Sequence, residues 1–182
     1  IGLIQTPSAE SKQEANVALV LNRNDIWKIG TLTVSPFDWL EAGYFYYRPS
    51  DLTWSDGVPG HYLDKGFNVK FSYRPDFIYG SSIAIGLDDF AGTGYFSREY
   101  LVSSYKRNNI RLSAGLGWGK FIGQNDISNP LSKFGGYFDT RPKISSNFEQ
   151  GLGGSPTYDQ WFRGRATYFG GLEYSVPRYK NI

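Results

Sequence analysis

The segment from Ile110 to Lys120 alternates strictly between apolar residues and small or polar residues. Successive side chains of a β-strand point to opposite faces of the sheet, so this strand has two unlike faces. One face carries Ile110, Leu112, Ala114, Leu116 and Trp118, and the other carries an arginine, a serine and three glycines. The inward face of a soluble sandwich needs bulky residues to fill a core. The pattern is instead typical of a transmembrane β-barrel strand, with the apolar face towards lipid and the small residues towards a crowded or wet interior.

Seven further segments are predicted as strands, and the 22 glycines, 14 tyrosines and 13 phenylalanines of the 182 residues favour strands and turns over helices. The eight predicted strands cover roughly 15–23, 26–35, 40–48, 66–74, 81–88, 96–107, 110–121 and 164–176. We therefore expect an all-β chain with a single domain, residues 1–182, folded as an antiparallel up-and-down transmembrane β-barrel of about eight strands.

The connections between the predicted strands alternate in length. From the third strand onwards they are long (49–65), short (75–80), medium (89–95), short (108–109) and long (122–163). Outer-membrane barrels have short periplasmic turns and longer external loops. We therefore expect a periplasmic N-terminus and a long external loop at 122–163, with residues 1–14 as a lead-in or lumen segment.

Composition excludes several classes of function. The chain has no cysteine, which excludes disulfides, thiol catalysis and zinc–thiolate sites. The formal net charge of +2 comes without a basic run, so nucleic acid is not an expected partner. No apolar stretch is long enough for a transmembrane helix. Nothing in the sequence indicates a cofactor.

Charged residues fall on the polar phase of the predicted strands. Facing lipid, each would cost about 2–4 kcal/mol near the midplane, so we expect them to face the lumen. They could form a charged lumen that handles an anionic polysaccharide, or a structural ladder that fills a narrow barrel. The candidate lumen charges are Glu41, Lys70, Arg74, Asp88, Arg111, Arg165 and Glu173.

Aromatic residues fall into two groups. Trp118, Tyr73, Tyr168 and Tyr174 lie on the apolar phase, where tryptophan and tyrosine favour a membrane interface. The second group lies in loops, where aromatic rings can contact sugars or other loops. The candidates for glycan contact are Trp54, Tyr62, Tyr137, Tyr158 and Trp161.

Two features could carry chemistry, and both have simpler interpretations. His61 is the one histidine, and a loop position without a fixed acid and nucleophile indicates a solvated side chain more than a catalytic one. The pair Asp88 and Asp89 could serve acid–base chemistry or bind calcium. At a strand end before a glycine-rich turn, a turn-and-lumen role is favoured, with Asp88 inward and Asp89 at the rim. We expect no catalytic, cofactor-binding or metal residues.

Four passages, in this order and spacing, are similar to a known family. They are GLIQTPSA at 2–9, LDKGFNVKF at 63–71, GLDDFAGTGYFSREYLVSSYKR at 86–107 and LSAGLGWGK at 112–120. The chain resembles the YjbH/GfcD-type outer-membrane proteins of exopolysaccharide (capsule) biosynthesis. The resemblance implies a Gram-negative outer-membrane barrel linked to polysaccharide secretion, with outer-membrane lipid, exopolysaccharide and other secretion-cluster proteins as partners. It implies no catalytic residues.

Members of that family are longer, and this chain lacks a terminal aromatic sorting residue, so we expect an N-terminal fragment or the N-terminal part of a larger barrel. The predicted function is non-enzymatic assistance to exopolysaccharide export or surface assembly. The alternatives are a small structural or adhesive outer-membrane barrel, an outer-membrane lipid hydrolase and a soluble ligand-binding barrel.

Overall fold

A computed structural model of the chain describes residues 6–23, 25, 27–49, 63–121, 126–146 and 154–176. These residues form nine strands and three short 3-10 helices. The strands are β1 (Asn16–Arg23), β2 (Trp27–Phe37), β3 (Leu40–Pro49), β4 (Asp64–Tyr73), β5 (Ser81–Asp88), β6 (Arg98–Arg107), β7 (Ile110–Gly119), β8 (Asp126–Ile127) and β9 (Ala166–Tyr174). The 3-10 helices are Pro130–Phe134, Gly136–Phe138 and Tyr158–Gln160.

The all-β class and the eight predicted strands are confirmed, as β1 to β7 and β9. The two-residue β8 is the addition, because residues 126–127 pair with the start of β9 inside the segment that sequence reasoning treated as one long loop. All pairings are antiparallel, and the sheet order is β1-β2-β3-β4-β5-β6-β7-β9-β8. The order is that of an up-and-down meander apart from β8.

The sheet is open, so the expected closure of about eight strands into a barrel is not what these residues form. Within the described residues β1 pairs with β2 alone, and β9 pairs with β7 and β8. Closure needs hydrogen bonds between the two outer edges of a sheet, and neither β1 nor β8 makes them. β1 is also exposed along nearly all of its length, as an edge strand with one neighbour is.

The register places unlike residues on the two faces. Along β6, Leu101 is 41% exposed while the next residue, Val102, is 3% exposed. The face that includes Leu101, which we call the apolar face, is exposed on consecutive strands. Its exposed members include Tyr44, Phe67, Phe71, Tyr73, Ile83, Ile85, Leu112, Tyr168, Leu172 and Tyr174. The opposite face, which we call the polar face, carries buried serine, threonine, lysine and acidic side chains.

Small residues on the polar face leave room for rings from neighbouring strands. The ring of Tyr100 lies against Gly86, so that an added Cβ at Gly86 would collide with it. Phe121 and Phe169 lie in the same way against Gly117 and Gly115, at 2.6 Å from the position of an added Cβ. The two phenylalanine rings stack at 5.3 Å. The alternation of glycine with leucine in β7 therefore makes a crowded face, because Gly115 and Gly117 each provide the space for a ring.

Short turns lie at one end of β2 to β7. β6 and β7 are joined by Asn108 and Asn109, where Asn108 has a φ of 53°, which asparagine tolerates better than most residues. The turn before β5 ends at Gly80, with a φ of 80° and no space for a side chain beside the carbonyl of Lys106. These turn residues set the hairpin registers.

The opposite end carries the connection 89–97 and residues 128–146 and 154–165, which pack on each other. Ala91 forms a β-bridge with Pro156, and the Thr157 amide donates to the Phe90 carbonyl at 2.8 Å. Asn129 organises the longer segment, because its side-chain amide donates to the carbonyls of Phe138 and Phe162. Residues 128–146 and 154–165, which include most of the described part of the predicted long loop, thus pack over this end of the sheet, and we call them the cap.

In the part of the chain that the structure describes, no helix combines the length and the apolar character needed to cross a membrane.

Candidate functional site

The polar face is covered by residues 6–11, a segment that we call the strap. The Ala9 amide donates to the Ser104 hydroxyl at 2.9 Å, and that hydroxyl bonds the Ser113 hydroxyl at 2.7 Å. Ala9 also packs against Ala84, Tyr100 and Val102 in the buried core of this face. Small serine and alanine side chains on β5, β6 and β7 thus leave room for the strap backbone to pack close to the sheet.

The centre of the polar face holds a buried ion pair. Glu41 lies opposite Lys70 in the β3–β4 register and pairs with it, and their side chains are 1% and 2% exposed. Lys70 Nζ also donates to the main-chain carbonyl of Glu10 at 2.6 Å. A buried charge that loses its partner is costly, so the pair depends on both strands and on the strap.

Two arginines hold the strap near the short-turn end. Arg111 donates to both carboxylate oxygens of Glu173 at 2.9 Å, and it also pairs with the Glu10 carboxylate. Arg74, just beyond the end of β4, donates to the Ser11 carbonyl at 3.1 Å. A guanidinium can serve two acceptors at once because it presents five donors in a fixed plane.

The remaining candidate charges lie towards the capped end. Asp88 accepts from Arg98 at 2.7 Å. Arg165 precedes β9 and is exposed, where it pairs with Asp126 of β8. Arg165 therefore differs from the prediction of a lumen charge, because it lies beyond the strand at the rim of the cap.

The candidate charges other than Arg165 thus make contacts to each other, to Arg98 or to the strap. With the strap in place, the cluster of Lys70, Arg74 and Arg111 faces the three carboxylates of Glu10, Glu41 and Glu173. This is the arrangement of a structural ladder. A row of free charges ready for an anionic polymer is not formed by these residues.

Three loop aromatics predicted for glycan contact lie together on the cap. The Tyr137 hydroxyl donates to the Tyr158 carbonyl at 2.9 Å, and the Arg163 guanidinium lies 4.3 Å from the Tyr137 ring centre. The rings of Tyr158 and Trp161 meet edge to face at 4.6 Å. Tyr137 and Tyr158 are both more than half exposed. The other two predicted aromatics, Trp54 and Tyr62, and His61, lie outside the described residues.

A largely covered arginine that sequence reasoning missed anchors the cap. Arg141 donates to both oxygens of Glu99, at 2.5 and 2.9 Å, and to the Gln160 carbonyl at 2.6 Å. Glu99 is 1% exposed although it sits on the apolar phase of β6. The sequence carries one signal for this contact, because Glu99 is a lone glutamate on the apolar phase of β6. Such a residue needs a cationic partner from elsewhere in the chain.

The cap also corrects the interpretation of Trp118. Its phase is as predicted, opposite Glu99 on the apolar face, but it is fully buried and so is no girdle residue. Phe162 lies edge to face with it at 5.2 Å. The alternation of a strand determines the face of a side chain, and here a distant loop decides whether that face meets solvent. Tyr73, Tyr168 and Tyr174 are exposed on the apolar face.

The predicted acidic pair Asp88 and Asp89 divides between two environments. Asp88 bonds Arg98, whereas Asp89, with a φ of 54°, turns into the connection after β5. There its Oδ2 accepts from the Phe96 amide at 3.2 Å. Burial, together with the negative charge of Asp64 and Asp88, raises the pKa of Asp89 to about 8. Asp89 is 1% exposed, so it differs from the expected rim position.

Asp64, at the start of β4, is a neighbour of Asp89 that sequence reasoning missed. Its Oδ1 accepts from the Lys65 amide at 2.9 Å and from the Thr93 hydroxyl at 3.1 Å. It is as buried as Asp89, so neither carboxyl is open to a substrate. No group of three or more side chains suited to a metal ion occurs in the described parts of the chain.

Comparison with known proteins places this sequence in a family. Residues 1–181 match the YjbH family, described as exopolysaccharide biosynthesis protein YbjH. The chain is 32% identical over 181 residues to a protein of Escherichia coli (strain K12) named "Uncharacterized lipoprotein YjbH". That alignment covers 97% of this chain and 25% of the relative, so the chain spans about a quarter of its length. No solved structure matches. The predicted resemblance is thus confirmed, and the chain belongs to the YjbH family of exopolysaccharide biosynthesis.

Proposed function

We propose that this chain forms part of the wall of an outer-membrane β-barrel and assists export or surface assembly of an exopolysaccharide without catalysing a reaction. Membership of an exopolysaccharide biosynthesis family indicates the process. A relative named as a lipoprotein from a Gram-negative bacterium is consistent with a cell-envelope location. Beyond these two findings, we propose three features: closure into a barrel, a location in the outer membrane and a periplasmic N-terminus.

The observation that carries the proposal is the inverted sheet. From β3 to β7 the exposed face is apolar and the covered face is polar, which is the reverse of a one-layer sheet in water. Exposed apolar surface on five consecutive strands needs a non-aqueous neighbour, and the hydrocarbon of a bilayer provides one. The open edges of β1 and β8 are where further strands would pair to close a barrel.

A non-enzymatic role is supported by the state of the polar side chains. The charges of the polar face are paired or hold the strap, and Asp64 and Asp89 are shielded by the backbone around them. The exposed aromatics of the cap remain as the surface available to a sugar, because aromatic rings bury the apolar faces of other molecules well.

The test has a membrane arm and a polymer arm. The protein is expected to fractionate with outer membranes and to refold only in detergent or lipid. In a producing strain, the double substitution Tyr137→Ala and Tyr158→Ala is expected to lower surface polysaccharide while membrane insertion stays normal. The matched control is Phe134→Ala, an exposed aromatic of the same segment that lies outside the Tyr137–Tyr158 contact.

The outcomes separate the two halves of the proposal. Recovery as a stable monomer in water would reject the barrel wall. Normal polysaccharide in the double variant would reject the glycan-contact role of the cap and leave a structural one.

A further inference from the structure

Asp64 and Asp89 form a buried acidic pair that the proposed function does not use. Each carboxyl is bonded through one oxygen only, Asp64 through Oδ1 and Asp89 through Oδ2. The other two oxygens, Asp64 Oδ2 and Asp89 Oδ1, are buried and have no hydrogen-bond partner in the described part of the chain. Both residues are 1% exposed.

Cations do not compensate this pair within the described residues. The ion pairs found there involve Glu10, Glu41, Asp88, Glu99, Asp126 and Glu173. Asp89 Oδ1 is also tightly enclosed, because an added Cβ on either Gly66 or Gly92 would collide with it. Two ionised carboxylates in such a place would be strongly disfavoured, and proteins relieve this by keeping a proton.

We propose that Asp64 and Asp89 share one proton and act as an alkali-sensitive latch. The proton comes from solvent as the chain folds and links the two unpartnered oxygens, so that one carboxyl donates to the other carboxylate. The latch ties the start of β4 to the connection 89–97. That connection holds the cap through Phe90 and Ala91, so the latch links protonation to the seating of the cap.

The surrounding groups agree with a retained proton. Lys65 on β4 is exposed, and Tyr47 of β3 lies opposite Asp64 in the register. On the far side, Asp88 is paired with Arg98, and Lys120 lies 4.5 Å from the centre of the Tyr95 ring. The charges that act on Asp89 are the carboxylates of Asp64 and Asp88, and both raise its pKa, in line with the value of about 8.

A shared proton makes the stability of the folded chain depend on pH. The folded chain holds a proton on the pair at pH values where an unfolded aspartate has lost it. Stability from this site is therefore full below about pH 4, falls as the pH rises towards about 8, and is constant above that.

The experiment measures the denaturation midpoint of the intact protein in detergent between about pH 5 and about pH 9. Asp89→Asn supplies a permanent donor to Asp64, so the alkaline fall in midpoint that the wild type shows should be reduced. Asp64→Asn should have the same effect, because its amide donates to Asp89. In the double variant the two amide oxygens keep the bonds from Lys65, Thr93 and Phe96, so two NH2 groups face the same space with no acceptor there. Its midpoint should therefore be lower than that of either single variant at every pH.

Asp88→Asn is the matched control, since it removes the neighbouring carboxylate and leaves the pair. It should lower the midpoint through the loss of the Arg98 contact and keep the alkaline fall, moved to a somewhat lower pH because the charge of Asp88 helps to raise the pKa of Asp89. An unchanged alkaline fall in Asp89→Asn, or a double variant as stable as the single ones, would overturn the proposal. If the variants do not fold, the infrared band of a protonated carboxyl in the wild type decides. It should disappear near pH 8, and its absence below that pH would overturn the latch.

Discussion

The two faces of the same sheet obey opposite rules of burial. On the apolar face, most leucines, isoleucines and aromatic residues of β3 to β7 and of β9 are at least partly exposed, with Trp118 under the cap as an exception, whereas the polar face buries an ion pair, five serines and two threonines. The difference is not one of composition alone, because Leu101 and Val102 are both aliphatic neighbours and only Val102 is buried. What covers a face decides burial, and the chain covers the polar face with its own strap and rings.

The comparison also separates two ways of stabilising a face. The polar face is held by specific contacts, such as the bond from Ala9 to Ser104 and the pair between Lys70 and Glu41. The apolar face has few such contacts and depends on the medium around it, which we propose to be lipid. Substitutions on the two faces should therefore fail for different reasons and by different amounts.

The largest expected effect is on the polar face. Lys70→Met leaves the Glu41 carboxylate buried without its cation and should lower the free energy of unfolding by about 3–5 kcal/mol. Denaturant unfolding in detergent measures it. Combining it with Glu41→Leu should recover most of the loss, since a buried ion pair replaced by apolar residues is often neutral. Lys65→Met, at an exposed position of the same strand, is the control, and an equal loss there would break the comparison.

The next effect tests the apolar face. Leu101→Arg should lower the free energy of unfolding by about 2–4 kcal/mol if the site lies near the midplane of a bilayer. Tyr79→Arg is the control, because Tyr79 is fully exposed in the turn before β5, and should cost about 1 kcal/mol or less. Lipid-dependent refolding measures both. If Leu101→Arg is tolerated as well as Tyr79→Arg, the apolar face meets water and not lipid.

The smallest effect tests the strap. Glu10→Gln weakens the pair with Arg111, which is partly exposed, and should lower the free energy of unfolding by about 1 kcal/mol. Glu14→Gln, at an exposed position beyond the strap, should change it very little. The same denaturation series is the measurement, and two equal values would show that Glu10 does not hold the strap.

Much of the fold could be predicted from period-two alternation and turn residues. The strand that opens at Ile110 was predicted within two residues of its observed end, and the two-asparagine turn before it is as expected. The apolar positions of β4, β5 and β7 lie on one face, as their alternation predicted. The prediction that the sheet closes into a barrel was wrong for the described residues, because a local pattern says nothing about which strand edges meet.

The candidate site was less predictable. Alternation placed Glu41 and Lys70 on one phase, and the structure pairs them. Arg141 and Asp64 were missed because they contact residues distant in the chain, Glu99 and Thr93. The sequence placed Asp88 inward and Asp89 at the rim, but a left-handed backbone at Asp89 turns its side chain into the buried connection after β5.

The sequence by itself determined the strands, their two unlike faces and the family. These follow from the alternation of side chains along each strand and from motifs such as the one at 86–107, which are properties of the chain read locally. Only the tertiary structure decided that the strap covers the polar face, that the cap buries Trp118 and that Asp64 is buried against the connection 89–97. Those contacts join residues far apart in the chain, and burial and charge depend on such neighbours rather than on the residue alone.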